Sequence, residues 1–599
     1  MGKTKKQTKS SHNEVSSDTK VVKKSNLTQS AVDFLSNYFW SLLVLCVAVL
    51  AYLQPRILVE LLNEWIGVSE HWEIAPLAAE GTKPAALATL QADVAKQEAV
   101  VHAFRHAWLA YERDAMGADE YHPLSYGGSN LTRAGGIGYT VVDSLDTMLI
   151  MGLQDEYQRA RFWVENKLSF DKDAAFSTFE TTIRVLGGLL SAYHLTNKDP
   201  VYLQKAVDLA DRILPVFDTP SGIPLPLINL AERKGYYSSD HEGVASIAEV
   251  GTLQLEFRYL SEVTGNPIYW EKAEKVMEVI HKARLPHGMA SIFIDIEDGE
   301  YITSPVRLGS RADSFYEYLL KQYIQTGHAE EIYMHMYLDA MTAIQNHLVQ
   351  KTKAGGYTYT SELQPERHSN GEISWRLVPK QDHLTCFLAG SLLLGAVTAE
   401  PRVQRHKISR PPSPEQLSDL GLRDWKLGSE ILKTCLHTHD TATQILCSGL
   451  SPEIVHFRIP SDGMDEIPHA PQDWYIKGAK QGEPAPYTAR YMLRPETVES
   501  LFIAYRLTGD ERYREHGWNI FQAIERHCRV DTGGYATILN VDEIPTQKED
   551  KMETFFLSET LKYLYLLFSD DTVIPLDQYV LNTEAHPLPI FTPTIKFSS

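Results

Sequence analysis

The stretch FSTFETTIRVLGGLLSAYHLTNKDPVYLQKAVDLADRI, residues 176–213, decides the fold. It contains an apolar helix, a polar turn and a second helix that carries charges along one face. The same order recurs in VTGNPIYWEKAEKVMEVI, which starts at Val263, and in LTGDERYREHGWNIFQAIERH, which starts at Leu507. A glycine and a short β-like run follow several of the second helices. The chain is therefore predicted to consist of repeated helical hairpins joined by small extended loops.

Seven first helices of such hairpins can be recognised, and they are apolar on most faces, as an inner ring buried on both sides would be. The second helices carry a charged face and fit an outer ring. Hairpin repeats can stack into an open solenoid or close into a toroid. Each first helix opens with a titratable group: Asp143 or Asp146, Glu180, Glu249, Asp313, Asp382 with His383, Glu496 and Glu553.

A single carboxylate at a helix N-terminus is most often a cap or a partner of the helix dipole. Seven titratable groups in the same phase favour a closed ring, which would bring them around one mouth as an acidic pocket. Crowded carboxylates repel one another, so some should have raised pKa values while others stay ionised. Hydrolysis of a glycosidic bond by paired carboxylates requires this division of roles.

The net charge of −20, from 57 Lys and Arg against 77 Asp and Glu, argues against a nucleic-acid partner. Residues 1–33 are basic, with seven Lys and three acidic residues, and residues 34–53 form an uncharged run of 20. Such a run spans about 30 Å as a helix, which predicts one transmembrane signal anchor rather than a cleaved signal peptide or a buried core helix. The positive-inside rule then keeps residues 1–33 cytosolic. Residues 54–93 are expected to form a luminal stem, and residues 94–599 the working domain.

Cysteine spacing leaves the disulfide pattern open. Cys46 lies in the predicted span, and Cys386, Cys435, Cys447 and Cys528 allow three complete pairings. The chain contains no CxxC or HExxH motif and no Cys/His spacing typical of a zinc site.

Six long strings resemble the class I α-1,2-mannosidases, glycoside hydrolase family 47. They are FSTFETTIRVLGGLLSAYHL from Phe176, RADSFYEYLLKQ from Arg311, GLSPEIVHF from Gly449, LRPETVESLF from Leu493, KMETFFLSETLKYLYLLFSDD from Lys551 and LNTEAHPLPI from Leu581. The resemblance covers residues 94–593. It implies an all-α (α/α)7 barrel with small β-hairpin loops, and an enzyme that hydrolyses α-1,2-linked mannose with inversion.

The resemblance also implies roles for residues that match the family's motifs. Glu180 would be the proton donor, Glu496 the base that activates water, and Asp313 and Glu453 further catalytic carboxylates. A Ca²⁺ ion would be bound through Thr583, with waters held by carboxylates such as Glu553 and Glu584, and Cys386 would be bridged to Cys435. The expected substrate-binding residues are Arg184, Arg311, Glu249, Glu317, His383, Arg494, Glu499 and Glu553.

We therefore expect a membrane-anchored exo-mannosidase that trims high-mannose N-glycans of glycoproteins. The expected location is the endoplasmic reticulum membrane, in single-pass type II orientation, with the Golgi as an alternative. Arg311 in RAD resembles the endoplasmic-reticulum branch, which mainly converts nine mannoses to eight, although this arginine could merely neutralise Asp313 or Glu317. Two other functions are considered: a mannose-binding, degradation-enhancing quality-control protein with little turnover, and a helical scaffold.

Overall fold

The computed structural model describes residue 77 and residues 89–594, except for 284–287, 441–446, 460–472 and 480–482. The predicted cytosolic tail, residues 1–33, and the predicted span, residues 34–53, lie outside the described residues, as does most of the predicted stem. In the part of the chain that is described, no helix is both long and apolar enough to cross a membrane. Membrane anchoring therefore stays a prediction from the sequence.

Seven helical segments of the described chain form an inner ring. Each segment packs against the next, and the last packs against the first, so the ring closes. The toroid is therefore confirmed over the open solenoid. The inner segments are Tyr139–Asp143 with Leu145–Ile150, Thr178–Glu180 with Thr181–Leu186 and Gly187–Leu195, Ile247–Gly251 with Gln254–Thr264, Asp313–Gln325, His383–Cys386 with Phe387–Thr398, Glu496–Thr508, and Phe556–Thr560 with Leu561–Phe568.

Seven longer helices surround the inner ring. Six of them follow an inner segment in sequence, whereas the first packs against Leu561–Phe568, so the two ends of the domain together complete the seventh hairpin. The outer helices are Val94–Ala115, Gln154–Asn166, Pro200–Ile213, Ile268–Ala283, Glu331–His347, Asp419–Asp440 and Glu511–His527.

The polar turns end one helix and start the next by local chemistry. Gly265 and Gly509 adopt left-handed conformations, with φ of 71° and 70°, at the ends of two inner helices. Asp199 and Asp510 cap the following outer helices by accepting from the backbone N–H two residues ahead, at 3.1 and 3.0 Å. The repeated motif in the sequence is thus a helix stop followed by a helix start.

Short antiparallel strands connect the helices, as the β-like runs predict. One hairpin near the C-terminus carries residues 582–586 to the inner face of the ring, where the Asn582 side chain donates to the Ile183 carbonyl at 2.9 Å. The paired strands are Glu120–His122 with Gly127–Ser129, Ala175–Ser177 with Leu227–Asn229 and Lys234–Tyr236, Val244–Ser246 with Phe293–Asp295, Val349–Lys351 with Thr358–Thr360, Glu362–Arg367 with Ile373–Val378, Lys380–Asp382 with Ile454–Phe457 and Trp474–Tyr475, and Tyr579–Leu581 with Pro587–Pro589.

One disulfide links the two rings. Cys386, at the start of the fifth inner helix, is bonded to Cys435 in the outer helix Asp419–Asp440, with Cα atoms 6.0 Å apart. This is the pairing that the family resemblance implies. Cys447 and Cys528 are free thiols, the first exposed and the second buried.

Candidate active site

A pocket of about 380 Å³ opens where the inner helices begin. Its floor is formed by Thr583 and Glu584 of the C-terminal hairpin, so the pocket is closed below. Ten of the predicted site residues line it: Glu180, Arg184, Glu249, Arg311, Asp313, Glu317, Arg494, Glu496, Glu499 and Thr583.

A strand, a serine cap and a helix place two of these carboxylates at the mouth. The strand Ala175–Ser177 ends at a serine whose hydroxyl accepts from the backbone N–H of Glu180 at 3.2 Å. The strand Val244–Ser246 ends in the same way, and Ser246 and Glu249 form a reciprocal capping box. The repeated local motif therefore presents one glutamate per hairpin at the N-terminal end of the ring.

Three predicted site residues lie behind the pocket wall. Glu453 accepts two hydrogen bonds from Arg494, at 3.0 and 2.7 Å, and so holds that guanidinium in place. His383 is buried, with Nε2 3.8 Å from a Glu496 oxygen. Glu553 is 3.1 Å from Lys551 and is absent from the lining. The prediction that Glu553 opens the seventh inner helix is corrected, because that helix begins at Phe556.

The prediction that Asp143 or Asp146 lies at the mouth of the acidic pocket is also wrong. Both belong to the first inner segment, but neither reaches the pocket mouth. Their side chains are fully buried and bond to His586, through Nε2 at 3.1 Å for Asp143 and through Nδ1 at 2.7 Å for Asp146. The first helix thus uses its acids to hold the C-terminal hairpin.

Glu559 is a pocket residue that the sequence reasoning missed. It lies in the π-helical turn Phe556–Thr560, and it lines the floor together with Glu584. A π-turn adds a residue to the helical repeat, so a pattern of period 3.6 does not place its side chains correctly. A second π-turn, Thr181–Leu186, follows Glu180 directly.

Arg184 connects the wall of the pocket to its floor. Its guanidinium donates to Glu180 at 2.7 Å and to the Thr554 hydroxyl at 2.8 Å, and it also bonds to Glu584. The Glu180 side chain is thus held by an ion pair although it is 38% exposed.

Two carboxyl groups of the pocket, those of Asp313 and Glu496, have raised pKa values. Burial, with the nearby carboxylates of Glu317 and Asp382, raises the pKa of Asp313 to about 7. Burial also raises the pKa of Glu496 to about 8, although the Arg494 guanidinium, 3.8 Å away, opposes this shift. One Glu496 oxygen, Oε2, is buried without a hydrogen-bond partner among the described residues. A polar group of the substrate or an ordered water can fill that place.

The floor has the oxygen chemistry that Ca²⁺ prefers. The Thr583 hydroxyl donates to Glu317 at 2.7 Å, and burial together with neighbouring carboxylates raises the pKa values of Glu559 and Glu584 well above their usual range. A cation there would relieve this repulsion. No group of three or more His, Cys, Asp or Glu in the described ranges has the arrangement to hold a metal ion directly. The Thr583 hydroxyl and the crowded carboxyl groups of the floor are oxygen donors of the type that a hard cation accepts.

Arg311 stands at the mouth in an unusual backbone conformation. Its φ is 79°, which a non-glycine residue rarely adopts, and its carbonyl accepts from the Ala248 N–H at 3.0 Å. The guanidinium lies 5.3 Å from the centre of the Phe293 ring. No ion pair within the described part of the chain joins it to Asp313 or Glu317. The Arg311 guanidinium thus lies against Phe293 and lines the pocket.

An acidic pocket at the N-terminal ends of a closed α/α ring supplies the pair of carboxyl groups that hydrolysis of a glycosidic bond requires, which is the chemistry of the glycoside hydrolases. A sequence model of glycosyl hydrolase family 47 matches residues 103–590, and the chain belongs to this family. It is a glycoside hydrolase.

The chain is similar to known proteins over most of its length. A mannosyl-oligosaccharide 1,2-alpha-mannosidase of Arabidopsis thaliana is 42% identical, over 83% of this chain and 79% of the relative. An endoplasmic reticulum mannosyl-oligosaccharide 1,2-alpha-mannosidase of Schizosaccharomyces pombe is 40% identical, over 85% and 92%. The structure of an alpha-1,2-mannosidase from Trichoderma reesei is similar, with a TM-score of 0.70 and 27% identity, over 84% of this chain and 100% of that one.

Proposed function

We propose that this protein is an inverting, Ca²⁺-dependent exo-α-1,2-mannosidase that trims terminal mannose from high-mannose N-glycans of glycoproteins. The observation that carries the proposal is the acidic pocket of about 380 Å³ with Thr583 and Glu584 in its lining, which suits the terminal sugar of a glycan. The relatives named above are mannosidases with 1,2-alpha specificity, which supports the choice of sugar and linkage.

The acid and base roles follow from the environments of three carboxyl groups. Asp313 is partly protonated at neutral pH, since its pKa is about 7, and Glu180 is exposed to the pocket and paired with Arg184. We assign the acid side of the site to these two residues. Glu496 on the sixth inner helix is assigned as the base. Proton donation to the glycosidic oxygen breaks the bond to C1, while water attacks C1 from the opposite face and gives a proton to Glu496.

The raised pKa of Glu496 sets a condition on this role. A base must be ionised, and burial favours its protonated form. Arg494 lies 3.8 Å from Glu496 and favours the carboxylate. When bound, Ca²⁺ would add positive charge beneath the sugar and orient its hydroxyls. Thr583 would hold the ion, with waters fixed by Glu317, Glu559 and Glu584.

We also propose that the main product retains eight of nine mannoses. Arg311 supports this specificity, because a planar guanidinium with five donors at the rim can bridge hydroxyls on two glycan arms and select one branch. The proposed location is the endoplasmic reticulum membrane, supported by the similarity to the endoplasmic reticulum mannosidase of S. pombe and by the apolar run at residues 34–53.

The test is incubation of the full-length protein with a nine-mannose N-glycan, with Ca²⁺ or after exhaustive chelation, followed by mass analysis of the products. We expect loss of one mannose with Ca²⁺ and no loss after chelation. An unchanged mass in both arms, with the glycan retained by the protein, would instead identify the mannose-binding quality-control function. Full activity without metal would remove Ca²⁺ from the proposal.

A further inference from the structure

Beneath the pocket floor, four ionisable side chains form a fully buried cluster. Lys562 bonds to Asp146 at 2.8 Å, and His586 bonds to Asp146 at 2.7 Å and to Asp143 at 3.1 Å. None of the four lines the pocket, so they cannot touch the sugar. The Asp146 and Asp143 carboxylates, acting against burial, raise the pKa of His586 to about 9. At neutral pH, Lys562 and His586 therefore face Asp143 and Asp146, and the guanidinium of the pocket residue Arg184 lies 3.5 Å from the second Asp143 oxygen.

This cluster joins three parts of the chain that are distant in sequence. Asp143 and Asp146 belong to the first inner segment, Lys562 to the last, and His586 to the C-terminal hairpin. The first and last inner segments meet where the ring closes. The hairpin is thus bonded to the ring at its closure point.

Lys562 makes one further bond that bears on the floor. Its ammonium donates to the carbonyl oxygen of Ala585 at 2.7 Å. Ala585 has a φ of 58°, in the left-handed region that residues other than glycine adopt at a cost. Such a conformation persists only where its surroundings determine it, and the buried ammonium is a strong, charge-assisted donor to that peptide.

Asn582 secures the other side of the same turn. Its side-chain oxygen accepts from the backbone N–H groups of Glu584 and His586, at 2.9 and 2.8 Å, while its amide nitrogen donates to Glu256 at 2.7 Å. Thr583 lies between these two anchors, with its hydroxyl on the pocket side. The backbone on both sides of Thr583 is consequently held by bonds made below the floor, while the Thr583 hydroxyl donates to Glu317 in the pocket.

We propose that Lys562 and Asp146 are positioning residues that hold the Ala585 carbonyl and thereby orient Thr583 for the pocket cation. The inference rests on the proposed function in one respect, the binding of Ca²⁺ at Thr583. It adds a role for two residues that contact neither the sugar nor the ion. Calcium affinity, rather than stability alone, should depend on them.

The experiment separates positioning from stability with a paired substitution. Lys562→Met removes the donor to Ala585 and leaves Asp146 short of a cation, which should weaken both folding and Ca²⁺ binding. The double variant Lys562→Met/Asp146→Asn removes one cation and one anion together, so the net charge around the remaining His586, Asp143 and Arg184 is unchanged. We expect the double variant to recover thermal stability while its Ca²⁺ dissociation constant stays at least about tenfold weaker than that of the wild type.

Arg506→Met supplies the matched control. Arg506 is a buried cation that donates to backbone carbonyls, of Val573 at 2.8 Å and Leu566 at 3.3 Å, and it lies outside the pocket lining. Its loss should lower stability without changing the Ca²⁺ dissociation constant.

Calorimetric titration of metal-stripped, full-length protein with Ca²⁺ gives the readout, beside thermal unfolding. Wild-type affinity in the Lys562→Met/Asp146→Asn variant would overturn the positioning role while leaving the proposed function intact. Equal weakening by Arg506→Met would also overturn it, because the effect would then be general destabilisation. A wild type that binds no Ca²⁺ would contradict the metal site itself.

Discussion

At the scale of single residues, the account depends on a few carboxyl groups with different environments. Glu180 is paired with Arg184 and partly exposed, whereas Glu496 is buried with one oxygen unpartnered. We predict that Glu180→Gln and Glu496→Gln each reduce turnover of a nine-mannose glycan by at least about a hundredfold, since each removes a positioned acid or base. Circular dichroism should show an unchanged fold. Glu165→Gln, on an outer helix, is the control, and near-wild-type rates in both site variants would refute the roles.

Arg311 carries the prediction on specificity. Arg311→Leu removes the donors at the rim, so trimming should continue past eight mannoses to smaller glycans, as followed by product mass over time. Arg159→Leu changes an arginine on the outer helix Gln154–Asn166 that pairs with Glu112 at 2.6 Å and is absent from the pocket lining, and it should leave the product pattern unchanged. An unchanged pattern in Arg311→Leu, or rapid conversion by the wild type to five mannoses, would contradict this role.

The raised pKa of Glu496 predicts that the stability difference between the Glu496→Gln variant and the wild type changes with pH. Its folded-state pKa, about 8, is above the usual value of 4.5, so the folded state binds the proton more tightly. The stability it contributes is complete below about pH 4.5 and is lost as pH rises through about 8. Relative to the wild type, metal-free Glu496→Gln should therefore gain free energy of unfolding between pH 6 and pH 8, on the order of 1 kcal/mol per pH unit at most.

Denaturant unfolding in the presence of a chelator measures this difference. The exposed Glu511, replaced by Gln, serves as the control and should show no such trend. A difference between Glu496→Gln and wild type that stays constant or falls with pH would show that Glu496 is already ionised in the folded protein.

At the scale of elements, the close approach of the first two inner segments depends on glycine. A Cβ on Gly188 would lie 2.8 Å from the Val142 carbonyl oxygen and 3.2 Å from the His586 ring, so the backbones would have to move apart. Gly188→Ala should lower the free energy of unfolding by about 1–2 kcal/mol despite the better helix propensity of alanine. Gly127→Ala meets nothing within 4 Å and should change stability by less than about 0.5 kcal/mol, as measured by urea unfolding. A fully stable Gly188→Ala would show that the helices are not in contact there.

Element by element, the sequence predicts what depends on local pattern. The apolar periodicity and the polar turns predict the inner and outer helices, and Glu180 and Glu249 lie at the starts of inner segments as predicted. The position of Glu559 in the pocket was not predicted, because a π-turn rotates its side chain away from the direction that a regular α-helix would give. The contacts of Asp143 and Asp146 with His586 could not be predicted, because they join residues more than 400 positions apart.

At the scale of the whole molecule, closure of the ring is what creates the pocket. The N-terminal helix Val94–Ala115 packs against Leu561–Phe568, and the C-terminal hairpin then supplies the floor from within the ring. The count of seven hairpins predicts the ring. It does not predict that residues 582–586 form the pocket floor, since these residues show no helical pattern. Only the resemblance of LNTEAHPLPI to a family motif indicated that this segment belongs to the site. The structure shows which bonds hold it in the ring.

The central claim is that the closed acidic pocket cleaves terminal α-1,2-linked mannose with inversion. Proton NMR of α-1,2-linked mannobiose during the first minutes of hydrolysis by the full-length protein, in Ca²⁺, tests it most directly. The account predicts that mannose released from the non-reducing end appears first as the β-anomer, because water attacks C1 from the face opposite the broken bond. Release of the α-anomer first, or no release at all, would contradict the account.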